Sequence, residues 1–309
     1  MVTGGAGFIG SHVADAFLAR DYQVLVVDDL STGSERNVPA AAEFERLDIV
    51  DEAALARAVS AFAPGAVCHL AAQASVTVSV QSPERDFSVN VRGSFNVLQA
   101  AREAGAPVVF ASTGGALYGE DAQIPSPETT TPEPLSPYGA SKLAAEAYVG
   151  TWGRLHGFPN VILRLGNVYG PRQNPHGEAG VVAIFSDRLR NGQAPVVYGD
   201  GRQTRDYIYV ADVAGAFVLA CEGGHSATFN VGRGRETSVL DLLEVLQGVA
   251  PAPLEPSFEP LRAGELTHSA LDSSLLRSTL GWEPRVELQE GLTATYNSYL
   301  SAVDVADPV

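Results

Sequence analysis

Cysteine is scarce in this sequence, which has only Cys68 and Cys221 among its 309 residues. Each lies in an apolar stretch, AVCHLAA or FVLACEG, and neither belongs to a CxxC pair. The six histidines are scattered along the chain. A disulfide framework and a metal site are therefore not expected, and His12 and His69 are predicted to pack or hydrogen-bond locally.

Long apolar runs and an excess of basic residues are also lacking. No run of about 18 apolar residues occurs, and no basic and apolar leader precedes the first glycines, so we expect neither a membrane span nor a targeting segment. The 20 Lys and Arg residues face 36 Asp and Glu residues, which gives a net charge of −16. This charge disfavours nucleic acid as a partner. With 45% hydrophobic residues, the chain is predicted to be a compact globular protein of the cytoplasm.

The first 165 residues alternate between two kinds of segment. Short β-branched runs occur at 24–27, 66–70, 108–112 and 161–165. Ala-rich amphipathic stretches of helical length lie between them, at 11–20, 52–62, 86–105 and 138–157. Apolar strands that alternate with helices predict an α/β fold with a doubly wound, Rossmann-type parallel sheet.

The composition changes near residue 166, where Gly, Pro, Asn and Arg become frequent and the elements become shorter. We therefore predict a dinucleotide-binding domain at 1–166, with a returning strand and helix at about 205–232. The segments 167–204 and 233–309 are predicted to form a smaller C-terminal α+β lobe that binds the substrate.

A glycine-rich turn, TGGAGFIG, places Gly4, Gly7 and Gly10 three residues apart. Glycine is needed where the backbone takes a positive φ or approaches a pyrophosphate, and a helix beginning near Phe8 and Ile9 would direct its N–H groups at that anion. Only Met1, Val2 and Thr3 precede the turn. We expect a short strand that still lies centrally, between those at 24–27 and 66–70, and we expect added apolar residues before it to stabilise the protein.

The next strand ends in an acidic residue, Asp28. A carboxylate at this position accepts hydrogen bonds from an adenosine ribose and repels a 2′-phosphate, so NAD is favoured over NADP. Asp48 and Ile49 are predicted to end the third strand and to touch the adenine, with a capping or turn role for Asp48 as the alternative. The segment after Asp28 is expected to line the cofactor as well, through Asp29, Leu30, Ser31, Thr32 and Gly33.

The segment SPYGASK contains Tyr138 and Lys142, which would share one helix face about 6 Å apart. An ammonium beside a tyrosine favours the phenolate, so the tyrosine could act as a base. In isolation this pattern is common by chance and more often describes a half-buried tyrosine with an exposed lysine. Its place after a Rossmann-type half and after a strand ending in FAST favours the catalytic interpretation.

Seven motifs occur in order: TGGAGFIG, the strand end at Asp28, HLAAQASV, FASTGGALYG, YGASK, LRLGNVYGPR and TRDYIYVADV. Together they resemble the extended short-chain dehydrogenase/reductase superfamily, with its NAD-dependent epimerases and dehydratases, over essentially the whole chain. The resemblance implies bound NAD and epimerisation at C4 of a UDP-hexose through a 4-keto sugar. It adds further cofactor-lining residues, namely Leu70, Ala71, Ala72, Gln73 and Asn90.

The same resemblance implies that Tyr138 takes the proton of the sugar 4-OH. Lys142 would bind the nicotinamide ribose and depress the pKa of Tyr138, and Thr113 would hydrogen-bond the 4-oxygen. TGGALYG has one residue more than the family pattern, so Ser112 is the alternative to Thr113, and a backbone bulge is expected after the strand. Residues 114–117 contain no acid, which disfavours related dehydratases and decarboxylases.

The resemblance also implies residues that contact the UDP-sugar. These are Asn167, Val181, Val182, Tyr198, Arg205, Arg262, Glu265 and Ser269. The small Ser269 would leave room for an N-acetyl group, so UDP-GlcNAc and UDP-GalNAc are expected substrates beside UDP-Glc and UDP-Gal. Two other functions stay open: another nucleotide-sugar enzyme, such as a UDP-glucuronate 4-epimerase or a 4-reductase, and a non-catalytic NAD-binding protein.

The family further implies a homodimer. The helices at roughly 83–105 and 136–156 would pair with their copies in an intermolecular four-helix bundle. Both are Ala-rich and carry apolar residues on more than one face, which is consistent with burial on two sides.

Overall fold

The computed structural model describes residues 1–176, 180–251, 253–260 and 266–301. Its strands are β1 Val2–Thr3, β2 Leu25–Asp28, β3 Glu43–Arg46, β4 Val67–His69, β5 Val108–Thr113, β6 Val161–Leu165, β7 Asn167–Tyr169, β8 Val196–Tyr198, β9 Thr204–Arg205, β10 Tyr207–Tyr209, β11 Ala227–Val231, β12 Thr237–Ser238 and β13 Ser257–Glu259.

The helices are α1 Phe8–Leu18, α2 Glu52–Phe62, α3 Val76–Gln81, α4 Pro83–Phe87, α5 Ser94–Glu103, α6 Pro137–His156, α7 Val181–Arg190, α8 Val210–Gly223, α9 Val239–Val249, α10 Ser274–Leu280 and α11 Leu288–Ser301. A short 3₁₀ helix covers Glu35–Asn37, and a π-helical turn covers Ser88–Gly93. In the described part of the chain, none of the helices has the length and apolar character needed to cross a membrane.

Seven parallel strands form the central sheet, in the order β11-β6-β5-β4-β1-β2-β3. This confirms the predicted Rossmann-type fold. β1 has only two residues, but it lies between β2 and β4 as predicted, with Val2 opposite both Val26 and Cys68. Both neighbouring strands hydrogen-bond to β1, so its two residues are enough to hold the glycine turn at the carboxyl end of the sheet.

Helices cover both faces of the sheet, which explains why inner strands such as β2 and β5 are apolar without alternation, whereas the edge strand β3, EFER, is mostly exposed. One face packs against α1 and α8, through Val13, Phe17, Val213 and Phe217. The other face packs against α2, α5 and α6, through Leu55, Val59, Val97, Leu98, Ala145 and Val149. The carboxyl ends of β1, β2, β4, β5 and β6 meet along one edge of this sheet, where ligands of such folds bind.

Two predicted boundaries differ from the structure. The third strand ends at Arg46 rather than at Asp48 and Ile49, because the Asp48 carboxylate accepts the backbone N–H of Val50 at 2.9 Å and turns the chain. The predicted helix at 83–105 consists of α4, the π-helical turn and α5. Such π-turns are frequent at functional sites.

The smaller lobe consists of three two-stranded sheets, β10-β7, β12-β9 and β13-β8, with helices α7, α9 and α11. It has its own apolar core, which includes Tyr169, Phe185, Leu242, Leu292 and Tyr296. A smaller C-terminal α+β lobe was predicted, but its bounds differ from the predicted ones. The strand that returns to the central sheet is β11, whereas β10 pairs with β7 in the smaller lobe. Leu276 of α10 and Trp282 pack in the core of the central sheet.

Candidate active site

The glycine turn folds tightly against the start of α1. Gly4 has a φ of +70°, and a Cβ at Gly10 would lie 2.1 Å from the carbonyl oxygen of Gly4. Gly7, the N-cap residue of α1, donates its N–H to that same oxygen at 3.1 Å. No side chain caps the helix, so the first N–H groups of α1, at Phe8 and Ile9, have no side-chain acceptor, as is usual at helix N-termini that bind anions.

Asp28 connects this turn to the next strand. Its buried carboxylate accepts the N–H of Ala6 at 3.0 Å and that of Leu30 at 2.9 Å. Burial raises the pKa of Asp28, while these backbone hydrogen bonds oppose the rise. A carboxylate offers about four acceptor sites, so it has room for a ribose hydroxyl beside these backbone donors.

The other residues predicted to contact the adenosine lie around Asp28. Leu30 has a φ of +61°, and Gly33 packs so closely on the turn that a Cβ would lie 2.9 Å from the carbonyl carbon of Ala6. Asp29 accepts the N–H and the hydroxyl of Ser31 at the exposed rim, where Thr32 also lies. Asp48 is exposed and Ile49 is buried in the core under α5.

The loop after β4 is held by Asn90. Its side chain accepts the N–H of Gln73 and donates to the carbonyl of Gln73, both at 2.9 Å. The backbone N–H groups of Leu70 and Ala71 bond to Thr3 in β1. Leu70, Ala71, Ala72 and Gln73 are all half-buried, so they line the carboxyl edge beside the glycine turn.

Tyr138 lies in the first turn of α6, directly after the N-cap Ser136 and Pro137. Its phenol lies beside the side chain of Thr113, at the end of β5. Burial and then the negative charge of Asp86 raise the pKa of Tyr138 to about 12, and the Thr113 side chain opposes the rise. The pKa thus lies above its usual value, contrary to the expectation that Lys142 depresses it. The predicted hydroxyl and the predicted base are therefore in contact.

Lys142 lies one turn further along α6 and is 3% exposed, so the alternative of an exposed lysine is wrong. Its Nζ donates to the carbonyl of Ala111 at 2.9 Å and lies 4.8 Å from the ring centroid of Phe110. Burial lowers the pKa of Lys142 to about 8, opposed by the charges of Asp86 and Glu146.

The sequence contains a signal for Lys142 that the motif alone does not convey. Lys142 is the only lysine among 309 residues, and the other 19 of the 20 basic residues are arginines. The chain thus uses arginine for every surface cation and keeps one lysine, at the buried site. A lysine ammonium is compact and titrates more easily than a guanidinium.

Ser112 points away from Tyr138, because successive residues of a strand face opposite sides. Its hydroxyl donates to Glu146 at 2.5 Å, and Glu146 forms a buried ion pair with Arg164 at 2.6 Å. Arg164 also donates to the Tyr118 hydroxyl at 2.9 Å. No sequence motif indicated this network, in which Arg164 lies in a strand predicted to be apolar and Glu146 in a helix predicted to be amphipathic. Between the two candidate hydroxyls, the structure brings Thr113 to Tyr138.

Two glycines follow Thr113. Gly114 donates its N–H to the carbonyl of Leu165 at 2.8 Å, which continues the strand pairing, and the chain turns from Gly115 onward. A Cβ at Gly115 would lie 3.4 Å from Oδ1 of Asn167. The predicted diphosphate contact Asn167 is thus next to the turn that follows the hydroxyl residue.

The remaining predicted substrate contacts lie in the smaller lobe. Val181 and Val182 begin α7, which Gly180 starts without a side-chain cap. Tyr198 ends β8, and half-buried Arg205 ends β9, where it donates to the carbonyl of Thr204 at 2.8 Å. Arg262 and Glu265 lie outside the described residues.

Ser269 is half-buried, in a segment that the Rossmann half holds in place. Glu120, which no sequence motif indicated, accepts the N–H of Thr267 at 3.1 Å. On the other side of Ser269, the carbonyl of Ala270 accepts the N–H of Ser126 at 2.8 Å. The loop after β5 therefore fixes where Ser269 lies.

The two histidines near the nucleotide motifs behave as predicted. His12 bonds the carbonyl of Pro171 at 3.0 Å. His69 lies between the hydroxyls of Thr3 and Ser94, and burial, with a smaller effect from Lys142, lowers the pKa of His69 to about 3. Its ring is therefore neutral. Among the described residues, no three His, Cys, Asp or Glu side chains are grouped to hold a metal ion.

The doubly wound sheet, the glycine turn and the buried Tyr138–Lys142 face define a Rossmann-type dinucleotide-binding protein. Residues 1–232 match the model of the NAD dependent epimerase/dehydratase family, and the chain belongs to that family. It is similar to the UDP-glucose 4-epimerase of Mycolicibacterium smegmatis, with 45% identity over 302 residues that cover 96% of each chain.

Solved structures of related proteins are similar to this chain over nearly its whole length. The crystal structure of UDP-glucose 4-epimerase with UDP-glucose from Thermotoga maritima matches with a TM-score of 0.96 and 45% identity, over 98% of both chains. A UDP-N-acetylglucosamine 4-epimerase from Methanobrevibacter ruminantium, in complex with UDP-N-acetylmuramic acid, matches with a TM-score of 0.92 and 34% identity, over 97% of both chains.

Proposed function

We propose that this protein interconverts UDP-glucose and UDP-galactose by NAD-dependent epimerisation at C4. The observation that carries this proposal is the contact between Tyr138 and Thr113, with Lys142 on the same helix face as Tyr138. Thr113 ends β5, which pairs with β4 at the carboxyl edge of the sheet. The similarity to proteins of that name over nearly the whole chain supports it.

The residues at the glycine turn fit a dinucleotide. A Cβ would collide with backbone at both Gly4 and Gly10, so the turn keeps the close approach that a pyrophosphate needs. NAD, when bound, supplies the acceptor and donor of a hydride at C4. We propose that Gly4, Gly7, Phe8, Ile9 and Gly10 hold its pyrophosphate and that Asp28 holds the adenosine ribose.

The rest of the proposed cofactor site follows from position along the sheet edge. Residues after β2, β3 and β4 would line the adenosine and the nicotinamide half, and Lys142 would hold the nicotinamide ribose. These are Asp29, Leu30, Ser31, Thr32, Gly33, Asp48, Ile49, Leu70, Ala71, Ala72, Gln73 and Asn90.

The protein's own chemistry is a proton transfer at the sugar 4-oxygen. Tyr138 is proposed to accept the proton and to return it, while Thr113 donates a hydrogen bond to that oxygen. Residues 114–117, which follow Thr113, contain no acid that could protonate a leaving hydroxyl. A reaction that only oxidises and restores C4 therefore suits this site better than elimination of water.

The smaller lobe is proposed to hold the UDP group, so that the 4-keto sugar can turn about its diphosphate linkage. Asn167, Arg205 and Arg262 would contact the phosphates. Tyr198 would lie on the uracil and Glu265 on the ribose, while Val181 and Val182 would offer backbone N–H groups.

The function is tested by separate incubation of the NAD-loaded enzyme with UDP-galactose, UDP-GalNAc and UDP-glucuronate, with the products identified by proton NMR. We expect UDP-glucose from UDP-galactose. Conversion of UDP-glucuronate alone would show that the protein is the uronate epimerase instead. No conversion of any of the three would contradict the proposal.

Two variants distinguish Thr113 from Ser112 as the residue that hydrogen-bonds the sugar 4-oxygen. Thr113→Val is expected to lower turnover by about 10–100-fold, because it removes a hydrogen bond that strengthens as charge develops on the 4-oxygen. Ser112→Ala is expected to lower stability more than turnover, since Ser112 contacts Glu146 instead. Steady-state kinetics and urea unfolding of both proteins would check this, and an inactive, stable Ser112→Ala variant would reverse the assignment.

N-acetylated sugars are a second candidate, favoured by the small, half-buried Ser269. Ser269→Tyr is expected to lower kcat/KM for UDP-GalNAc by about 10-fold or more relative to UDP-galactose, because overpacking a pocket costs about 1–3 kcal/mol. Ser269→Ala is the matched control and should keep both activities. Equal loss for both sugars would show that Ser269 does not face C2.

We also propose a homodimer formed by the helices at 83–105 and 136–156. Two large apolar side chains there are strongly exposed, Phe87 (61%) and Leu155 (67%). Phe87→Glu is expected to give a monomer by light scattering at micromolar concentration, whereas Leu275→Glu, on α10, should not change the mass. A monomeric wild-type protein would contradict the proposal. The cytoplasmic location stays a prediction.

A further inference from the structure

Asp86 is a buried carboxylate to which the proposed mechanism gives no role. It is 1% exposed, and it is the one buried residue of α4, whose Arg85 and Phe87 face outward. Its Oδ1 accepts hydrogen bonds from two neutral amides, Gln73 at 2.8 Å and Asn90 at 3.1 Å. A buried charge held by amides is costly to maintain, so its position near the Tyr138–Lys142 face calls for a function.

Asp86 is connected to that face through hydrogen bonds. Nδ2 of Asn90 shares its two N–H groups among three acceptors, which are the carbonyl of Gln73 at 2.9 Å, the hydroxyl of Ser141 at 3.0 Å and Oδ1 of Asp86 at 3.1 Å. Ser141 in turn donates to the backbone carbonyl of Tyr138 at 3.0 Å. Asp86 thereby orients the amide that holds the first turn of α6, and Lys142 is the residue next to Ser141.

Among the charged groups around Lys142, Asp86 is the one that compensates the positive charge of the ammonium. Two carboxylates act on the ammonium: Asp86 from α4 and Glu146 from α6 itself. Glu146 is already paired with Arg164 at 2.6 Å. His69, on β4, is neutral because burial and Lys142 lower its pKa to about 3. The same charge of Asp86 also raises the pKa of Tyr138.

We propose that Asp86 is a positioning residue for the Tyr138–Lys142 pair. Through Asn90 and Ser141 it fixes the turn that carries the tyrosine, and its charge keeps Lys142 an ammonium. Only its effect on turnover rests on the proposed function; its effect on Lys142 can be measured without any substrate.

The single lysine makes the electrostatic part directly measurable. Protein labelled with [ε-¹³C]lysine gives one resonance, from Lys142, whose shift with pH reports its titration. Asp86→Asn is expected to move this midpoint down by about one pH unit or more, because a carboxylate near a cation favours the charged form. The control is Asp212→Asn, a buried carboxylate on α8 that accepts the N–H groups of Arg285 and Val286. An unchanged midpoint in Asp86→Asn would overturn the proposal.

The positioning part is tested by turnover. In Asp86→Asn both Lys142 and Tyr138 should ionise at lower pH, so the kcat–pH profile is expected to move toward acid, and Asp86→Glu should restore it in part.

Ser141→Ala breaks the hydrogen-bonded connection but keeps the charge of Asp86, so it should lower kcat with the Lys142 midpoint unchanged. A uniform loss of activity in Asp86→Asn without a shift would show a merely structural role. If Asp86→Asn does not fold, the Asp86→Glu and Ser141→Ala results decide. If wild type lacks epimerase activity, the proposed function fails while the lysine titration still stands.

Discussion

Tyr138→Phe is expected to lower kcat for UDP-galactose by about 10²–10⁴-fold, the range that a general base contributes. Phenylalanine keeps the ring and its packing, so the loss reports the hydroxyl that contacts Thr113. The expected residual rate should no longer rise with pH, because the group whose ionisation supplies the base is gone.

The matched control is Tyr148→Phe, which removes a phenol from the same helix at a position that is 44% exposed. It should leave kcat unchanged. Both variants should keep the wild-type melting temperature within a few degrees and the same content of bound NAD. Full turnover by Tyr138→Phe would eliminate Tyr138 as the base, and with it the mechanism proposed for this site.

Arg164→Met is expected to lower the free energy of unfolding by about 3–5 kcal/mol, because it leaves the Glu146 carboxylate buried without its partner. Arg164 donates to both oxygens of Glu146, at 3.2 Å or less. Glu146 also accepts the hydroxyl of Ser112, so the effect should reach the end of β5. Urea unfolding followed by circular dichroism would measure it.

An exposed ion pair serves as the comparison for Arg164. Arg20 and Glu222 are 2.7 Å apart, but their side chains are 47% and 37% exposed, so Arg20→Met should cost no more than about 1 kcal/mol. The double variant Arg164→Met/Glu146→Leu should recover much of the stability, since an apolar pair can replace a buried ion pair. Equal losses in Arg164→Met and Arg20→Met would show that burial does not decide the cost.

Local sequence patterns were enough to predict the parallel sheet and the glycine turn at its carboxyl edge. Apolar strands alternating with helices predicted the parallel sheet, and the glycine spacing with the strand end at Asp28 predicted the turn that Gly4 and Gly10 form. These features depend on residues close in sequence, where backbone conformation and helix periodicity are set by the residues themselves. The spacing of Tyr138 and Lys142 is of the same kind.

Contacts between residues far apart in the sequence could not be predicted from local patterns. Asp86, Asn90 and Ser141 come together only when α4 packs against α6, and Glu120 reaches Thr267 across 147 residues. No periodicity indicates which buried carboxylate will be held by amides and which by an arginine, because that depends on the packing of separate elements.

By itself, the sequence of this protein determined the α/β class, the glycine turn, the acidic strand end and the helix face with its single lysine. The tertiary structure alone decided that Thr113, and not Ser112, contacts Tyr138, and that Lys142 is buried. The reason is physical: a strand fixes only that neighbouring side chains face opposite ways, and which face meets α6 is settled by how the helix packs on the sheet.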